Sequence, residues 1–102
     1  MVSTATPTAE KTAALRDIRR IPGIGASLSE DLWDLGMRRV EDLRGRDPEE
    51  LYARLCTRAG MRLDPCVLYA FRCAVYFASH DVHDPALLKW WNWKGRSSEL
   101  AR

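Results

Sequence analysis

Three Asp-Pro pairs, Asp47-Pro48, Asp64-Pro65 and Asp84-Pro85, constrain this chain more than any other feature. An aspartate carboxylate accepts from the free amides of a helix's first turn, and a proline one residue later loses nothing by lacking an amide proton. Each pair therefore reads as a helix start. The first is reinforced by Glu50 at the third helical position, and its helix should run from Pro48 to about Ala59, where Gly60 ends it. Met61-Arg62-Leu63 bridges to a helix from Pro65 to Ser79, which is apolar almost all round and is expected to be central and buried. The third pair opens a short helix through Ala86-Leu87-Leu88-Lys89-Trp90-Trp91, followed by Asn92-Trp93-Lys94.

Upstream, the spacing of Ala14, Leu15, Ile18 and Ile21 fits one face of a helix beginning near Ala9. Ile21-Pro22-Gly23-Ile24-Gly25 breaks it, because proline removes a donor and glycine adopts backbone angles closed to other residues. Leu28, Leu32 and Leu35 then mark a second helix, from about Ala26 to Leu35, with Gly36 as its left-handed cap. Val40 to Leu43 reads as a connecting turn, and no strand signal appears. The expected class is all-α. Residues 11–35 and 48–79 share the order helix, glycine-containing hairpin, helix, so the two halves are expected to pack as a tandem, pseudo-symmetric unit. Residues 1–8 read as a disordered leader, 9–94 as one domain closed by the short tryptophan-rich helix, and 95–102 as a polar tail.

At 102 residues, a single core burying roughly 65 % of the unfolded chain's surface is expected. The net charge of +2 demands no polyanionic partner, but residues 1–50 carry 8 basic and 10 acidic groups and residues 51–102 carry 8 and 4, which permits a basic face. Three cysteines, an odd number, with no N-terminal apolar stretch of signal-peptide length, imply free thiols and a cytoplasmic location. The longest apolar run, Cys66 to Ala78, contains Arg72 and falls short of the roughly 20 residues of a membrane span. No membrane partner is expected.

The hairpin carries the sharpest chemical signal. Gly23 and Gly25 lack β-carbons and stand where a helix begins with unpaired amides, and such amides face a phosphate at the positive end of the helix dipole. Contact of this kind reads no bases.

The pattern Leu15…Ile18…Ile21-Pro22-Gly23-Ile24-Gly25…Leu28-Ser29…Leu32…Leu35-Gly36 resembles the helix-hairpin-helix motif of DNA repair and recombination proteins. Further along, Glu41-Asp42-Leu43-Arg44-Gly45, Asp64-Pro65-Cys66-Val67-Leu68-Tyr69, Phe71-Arg72-Cys73-Ala74-Val75-Tyr76-Phe77 and Leu88-Lys89-Trp90-Trp91-Asn92-Trp93-Lys94 are similar to a small bacterial family labelled pathogenicity-locus or mitomycin-resistance protein. The resemblance implies nucleic-acid contact through Gly23, Ile24, Gly25, Ala26 and Ser27. It also implies a monovalent cation held by the carbonyls of Arg19, Ile21 and Ile24. One departure matters: many DNA-binding members place Lys or Arg just after the second glycine, where this chain has Ala26 and Ser27, followed by Glu30, Asp31 and Asp34.

Arg19, Arg20 and Arg62 are candidates to supplement the amides with side-chain phosphate contacts. Trp90, Trp91 and Trp93 cannot all face one core, so two are expected to pack and one to remain available to a protein groove or an unpaired base. Cys66 and Cys73 share a helix face with Tyr69, Ala70 and Phe77 and are expected to be buried together. A metal site drawn from Cys56, Cys66, Cys73, His80 and His83 would depart from common zinc spacing, so no metal is expected. No nucleophile with a matched base and no nucleotide-binding loop is present, and the chain reads as a non-enzyme without a cofactor. Two functions compete: sequence-independent DNA binding through the hairpin, and protein interaction through the same fold and the tryptophan segment.

Overall fold

The computed structural model describes residues 8–102, and among them every regular element is helical. Residues 1–7 of the expected leader lie outside the described residues, whereas Thr8, assigned to it, belongs to the fold: its hydroxyl accepts from the Lys11 amide and caps the first helix. The α-helices are α1 (Ala9–Ile18), α2 (Ala26–Asp34), α3 (Pro48–Ala59), α4 (Pro65–Ser79) and α5 (Ser98–Ala101). Three 3-10 turns, Val40–Leu43, Pro85–Leu88 and Trp90–Trp93, join them.

The Asp-Pro starts fold as the sequence dictates. Asp47, Asp64 and Asp84 each accept the amide two residues on, from Glu49, Cys66 and Ala86. These bonds hold the Asp64 carboxyl below its usual range, the Cys66 amide being the main cause. Helices α2 and α3 end alike. Gly36 (φ +100°) and Gly60 (φ +71°) are left-handed, and in each case the residue after the glycine donates to a carbonyl five residues back: Met37 to Leu32 and Met61 to Cys56.

Helix α4 is the axis of the molecule. Its buried side chains, Ala70, Phe71, Cys73, Ala74, Val75 and Tyr76, meet α3, α5 and all three 3-10 turns. Ile18, Ile21, Ile24, Leu32 and Leu35 from the first two helices and their connection complete the same core. Burial of each such side chain is worth about 1.5–3 kcal/mol, so the isoleucines flanking the Pro-Gly turn anchor the turn to the core. Asp17 ties α1 to the first 3-10 turn: one carboxylate oxygen accepts from the Val40 amide at 2.9 Å and the other from Arg20 at 2.7 Å.

Three expectations require correction. The tryptophan segment is two 3-10 turns separated by extended Lys89 (φ −98°, ψ 112°) rather than one α-helix. Residues three apart eclipse in 3-10 geometry, so Trp90 and Trp93 both turn inward. The buried Trp93 indole then donates to the Leu87 carbonyl at 2.8 Å.

Residues 95–102 are not a loose polar tail: Ser97 caps α5, Ala101 is fully buried, and Ser98 accepts from buried Arg72. The third correction concerns the cysteines. Cys73 is buried, as expected, but Cys66 is exposed, and Tyr69 and Phe77 are half-buried. Cys66 belongs to the first turn of α4, ahead of the run from Ala70 to Tyr76 that the core covers.

Candidate nucleic-acid interface

The connection between α1 and α2 is a rigid turn. The Ile21 amide donates to the Ile18 carbonyl and the Ile24 amide to the Ile21 carbonyl, both at 3.1 Å. Ile21 and Ile24 are almost fully buried. The Ile21 carbonyl, one of the three expected cation ligands, therefore already accepts one hydrogen bond, with a second lone pair remaining.

The two glycines do different work. Gly23 is left-handed (φ +86°), and a β-carbon there would stand 2.9 Å from Cδ1 of Trp90. The close approach that glycine permits at this position is made by the protein's own indole. Gly25 is extended (φ −97°, ψ −160°), and its missing β-carbon would meet nothing within 4 Å. Of the two, Gly25 is the one that leaves backbone open to an incoming group.

Helix α2 starts on Gly25 with no side-chain cap, whereas Thr8, Asp47, Asp64 and Ser97 cap the other four α-helices. Gly25, Ala26 and Ser27 are exposed, and the first intrahelical donor is Ser29, bonded to the Gly25 carbonyl at 3.0 Å. The leading amides of α2 thus face solvent with the positive end of the helix dipole behind them.

A cation reaches this helix start from α1. Arg19 donates through Nε to the Ser29 hydroxyl at 3.2 Å, and that hydroxyl donates to the Ala26 carbonyl at 2.9 Å. No Lys or Arg follows the second glycine, but a guanidinium from the end of α1 packs against the first turn of α2. Of the acidic groups on that helix, Glu30 pairs with Lys11 at 3.1 Å. Partial burial pushes the Asp31 carboxyl up, with Asp34 and Glu30 adding to the effect.

The remaining candidates divide. Arg20 stands beside the turn but is engaged by Asp17. Arg62 does not join the hairpin: it lines a separate cleft with Tyr69, Arg72 and Arg96, whereas Gly23 and Trp90 line a small apolar cleft with Leu28, Cys66, Val67 and Ala70. The two clefts lie on opposite faces of α4, since residues 65, 68, 69 and 72 form one side of a 3.6-residue helix and 66, 67 and 70 the other. Trp91 is 56 % exposed and meets Trp90 edge-on, with ring centroids 5.7 Å apart.

The Trp90–Gly23 contact and the buried charge of Arg72 escaped the sequence reading. An arginine inside an otherwise apolar helix was the available signal for the second; nothing local signalled the first. Among the described residues no three His, Cys, Asp or Glu side chains come together as a metal-binding group. Cys73 lies against the Pro22 and Leu87 carbonyls, and burial pushes its thiol up to about 11.

Fold and site define a small all-helical domain in which one helix start is left open beside a glycine turn. A family model described as pathogenicity locus matches residues 11–99, and the chain belongs to that family. A relative from Streptomyces lavendulae, mitomycin resistance protein McrB, is 34 % identical over 84 residues, covering 82 % of this chain and 76 % of the relative. No solved structure matches. No described helix is long and apolar enough to cross a membrane.

Proposed function

We propose that this protein is a non-enzymatic DNA-binding module of the helix-hairpin-helix type, gripping phosphates without sequence preference through Gly25, Ala26 and Ser27. The observation that carries the reading is the start of α2, which lacks the side-chain cap that the other four α-helices possess and presents open backbone at Gly25. A phosphate oxygen there would accept from the leading amides, with Arg19 alongside supplying charge. A monovalent cation on the carbonyls of Arg19, Ile21 and Ile24 would brace the turn from its other side.

The reading is tested by a salt series on the whole protein with duplex, single-stranded and branched DNA, followed by tryptophan fluorescence. Backbone contact through a few amides and Arg19 predicts that affinity falls as salt rises and differs little between sequences. Absence of binding even at low salt would refute it.

A second reading has its own observation. Trp91 is exposed beside Trp90, which itself seats on the turn, and an exposed indole of this kind suits a protein partner. Binding to a protein that Trp91→Ala abolishes, with little dependence on salt, would favour it.

A further inference from the structure

We infer that the cleft lined by Arg62, Tyr69, Arg72 and Arg96 is a second anion site, built to hold the phosphate of a nucleotide-sized ligand or of a nucleic-acid strand. It is separate from the open end of α2 and does not rest on the reading of that end. The cleft encloses about 530 Å³ and is lined by Arg62, Pro65, Leu68, Tyr69, Arg72, Gly95, Arg96 and Ser97, with three guanidinium groups and no carboxylate.

Arg72 is the fixed point. It is only 9 % exposed, donating through Nε to Ser98 and through one terminal nitrogen to the Trp93 carbonyl, both at 3.1 Å. Its other terminal nitrogen reaches Glu49 at 3.4 Å, and Glu49 is 61 % exposed. A buried guanidinium requires close compensation, and one long bond to a solvated carboxylate supplies little of it. Three of its five N–H donors are used in these bonds, which leaves two. An oxyanion in the cleft would complete both the charge and the donor set.

The other two cations are available. Among the described residues neither Arg62 nor Arg96 forms an ion pair. Arg96 is held by its Nε on the Asn92 carbonyl at 2.8 Å, which orients its terminal nitrogens without neutralising them. Asp64, adjacent in sequence to Pro65, is occupied in capping α4. The half-buried ring of Tyr69, 5.7 Å from the Arg72 guanidinium carbon, gives the cleft an aromatic wall. Guanidinium forks match phosphate oxygens geometrically, and a volume of this size suits one nucleotide.

The test is an amide-resolved NMR titration of the whole protein with pyrophosphate, with AMP and with a short single-stranded oligonucleotide, repeated on the Arg62→Gln, Arg96→Gln double variant. Both side chains are exposed, so the double variant should fold; Arg72 is left intact because its removal would unseat α5. Binding at the cleft shifts the signals of Arg62, Gly95, Arg96 and Ser97, independently of any movement at Gly25 to Ser27, and the double variant weakens it at least tenfold at those four residues. Shifts with AMP and pyrophosphate assign the phosphate to a free nucleotide; shifts with the oligonucleotide alone assign it to a strand. No shift at these four residues with any of the three probes at millimolar concentration, or shifts of equal affinity in the double variant, would overturn the inference.

Discussion

Trp90 lies across the α-carbon of Gly23, its Cδ1 2.9 Å from the place a β-carbon would occupy. The contact joins the turn between α1 and α2 to the 3-10 turn Trp90–Trp93. It also divides the labour of the two glycines, since Gly23 is required by the fold and Gly25 is left open.

Gly23→Ala combines a left-handed backbone with a collision against Trp90, and should destabilise the protein by about 1–3 kcal/mol. Gly25→Ala, in extended backbone with free space, should cost about 1 kcal/mol or less. Chemical denaturation of both variants, of Trp90→Ala and of Gly23→Ala combined with Trp90→Ala checks this. The double variant should show less than the sum of the two single losses, because the collision is gone.

Asp17→Ala deprives the Val40 amide of its acceptor and should cost about 1–3 kcal/mol. The Val40 hydrogen bond holds the Asp17 carboxyl below its usual range, outweighing the opposing effect of burial, and Arg20 and Arg39 lower it further. A carboxyl depressed in the folded state contributes stability above its unfolded pKa and loses it as pH falls through the folded one. The wild type should therefore lose more stability than Asp17→Ala between about pH 4 and the lower pKa of the folded carboxyl, a difference that acid-dependent melting temperatures will register.

How much of this was legible in the sequence depended on whether the determining interaction was local. The Asp-Pro starts and the Gly36 and Gly60 stops act within one turn of helix, so α2, α3 and α4 could be placed closely. The inward Ile21 and the division of the tryptophans followed from pattern and from the capacity of one core, whereas the burial of Ile24 did not. Burial of α5 depends on Arg72 reaching Ser98 across 26 residues, and the exposure of Cys66 depends on where the neighbours of α4 stop. Neither leaves a periodic trace. At the candidate site the open helix start was readable from Gly25 and Arg19 stood among the arginines expected to supplement it, but its bond to Ser29, ten residues on, left no local trace that set it apart from Arg20 and Arg62.

The cysteines should separate by reactivity. Cys66 should react first with a thiol reagent in the native protein even though its partner Asp64 raises its thiol pKa, because access limits Cys73 far more. Cys73, with its thiol near 11, should label only on unfolding. Its raised folded pKa also means that stability present below the unfolded pKa of about 8.5 is lost as pH rises through that value toward the folded one. Cys73→Ala should flatten this alkaline decline, and mass spectrometry of labelled peptides with melting curves from pH 8 to pH 11 would check both points.

Ser98→Ala removes the acceptor of the Arg72 Nε and should cost about 1–3 kcal/mol, despite lying in a segment that reads as a polar tail. Denaturation midpoints of this variant against Ser97→Ala, which removes only a cap on a four-residue helix, should place Ser98 as the larger loss.

The most direct test of the α2 helix start is the affinity of Gly25→Asp for duplex DNA at low salt, measured beside its thermal stability. Aspartate is a favoured N-cap, its side chain has open space at this position, and its carboxylate would accept from the same amides that a phosphate would use. The variant should be at least as stable as the wild type and should lose at least about tenfold in affinity, equivalent to roughly 1.4 kcal/mol. A Gly25→Asp protein that folds and binds duplex DNA as tightly as the wild type would contradict the claim that the open end of α2 is the grip.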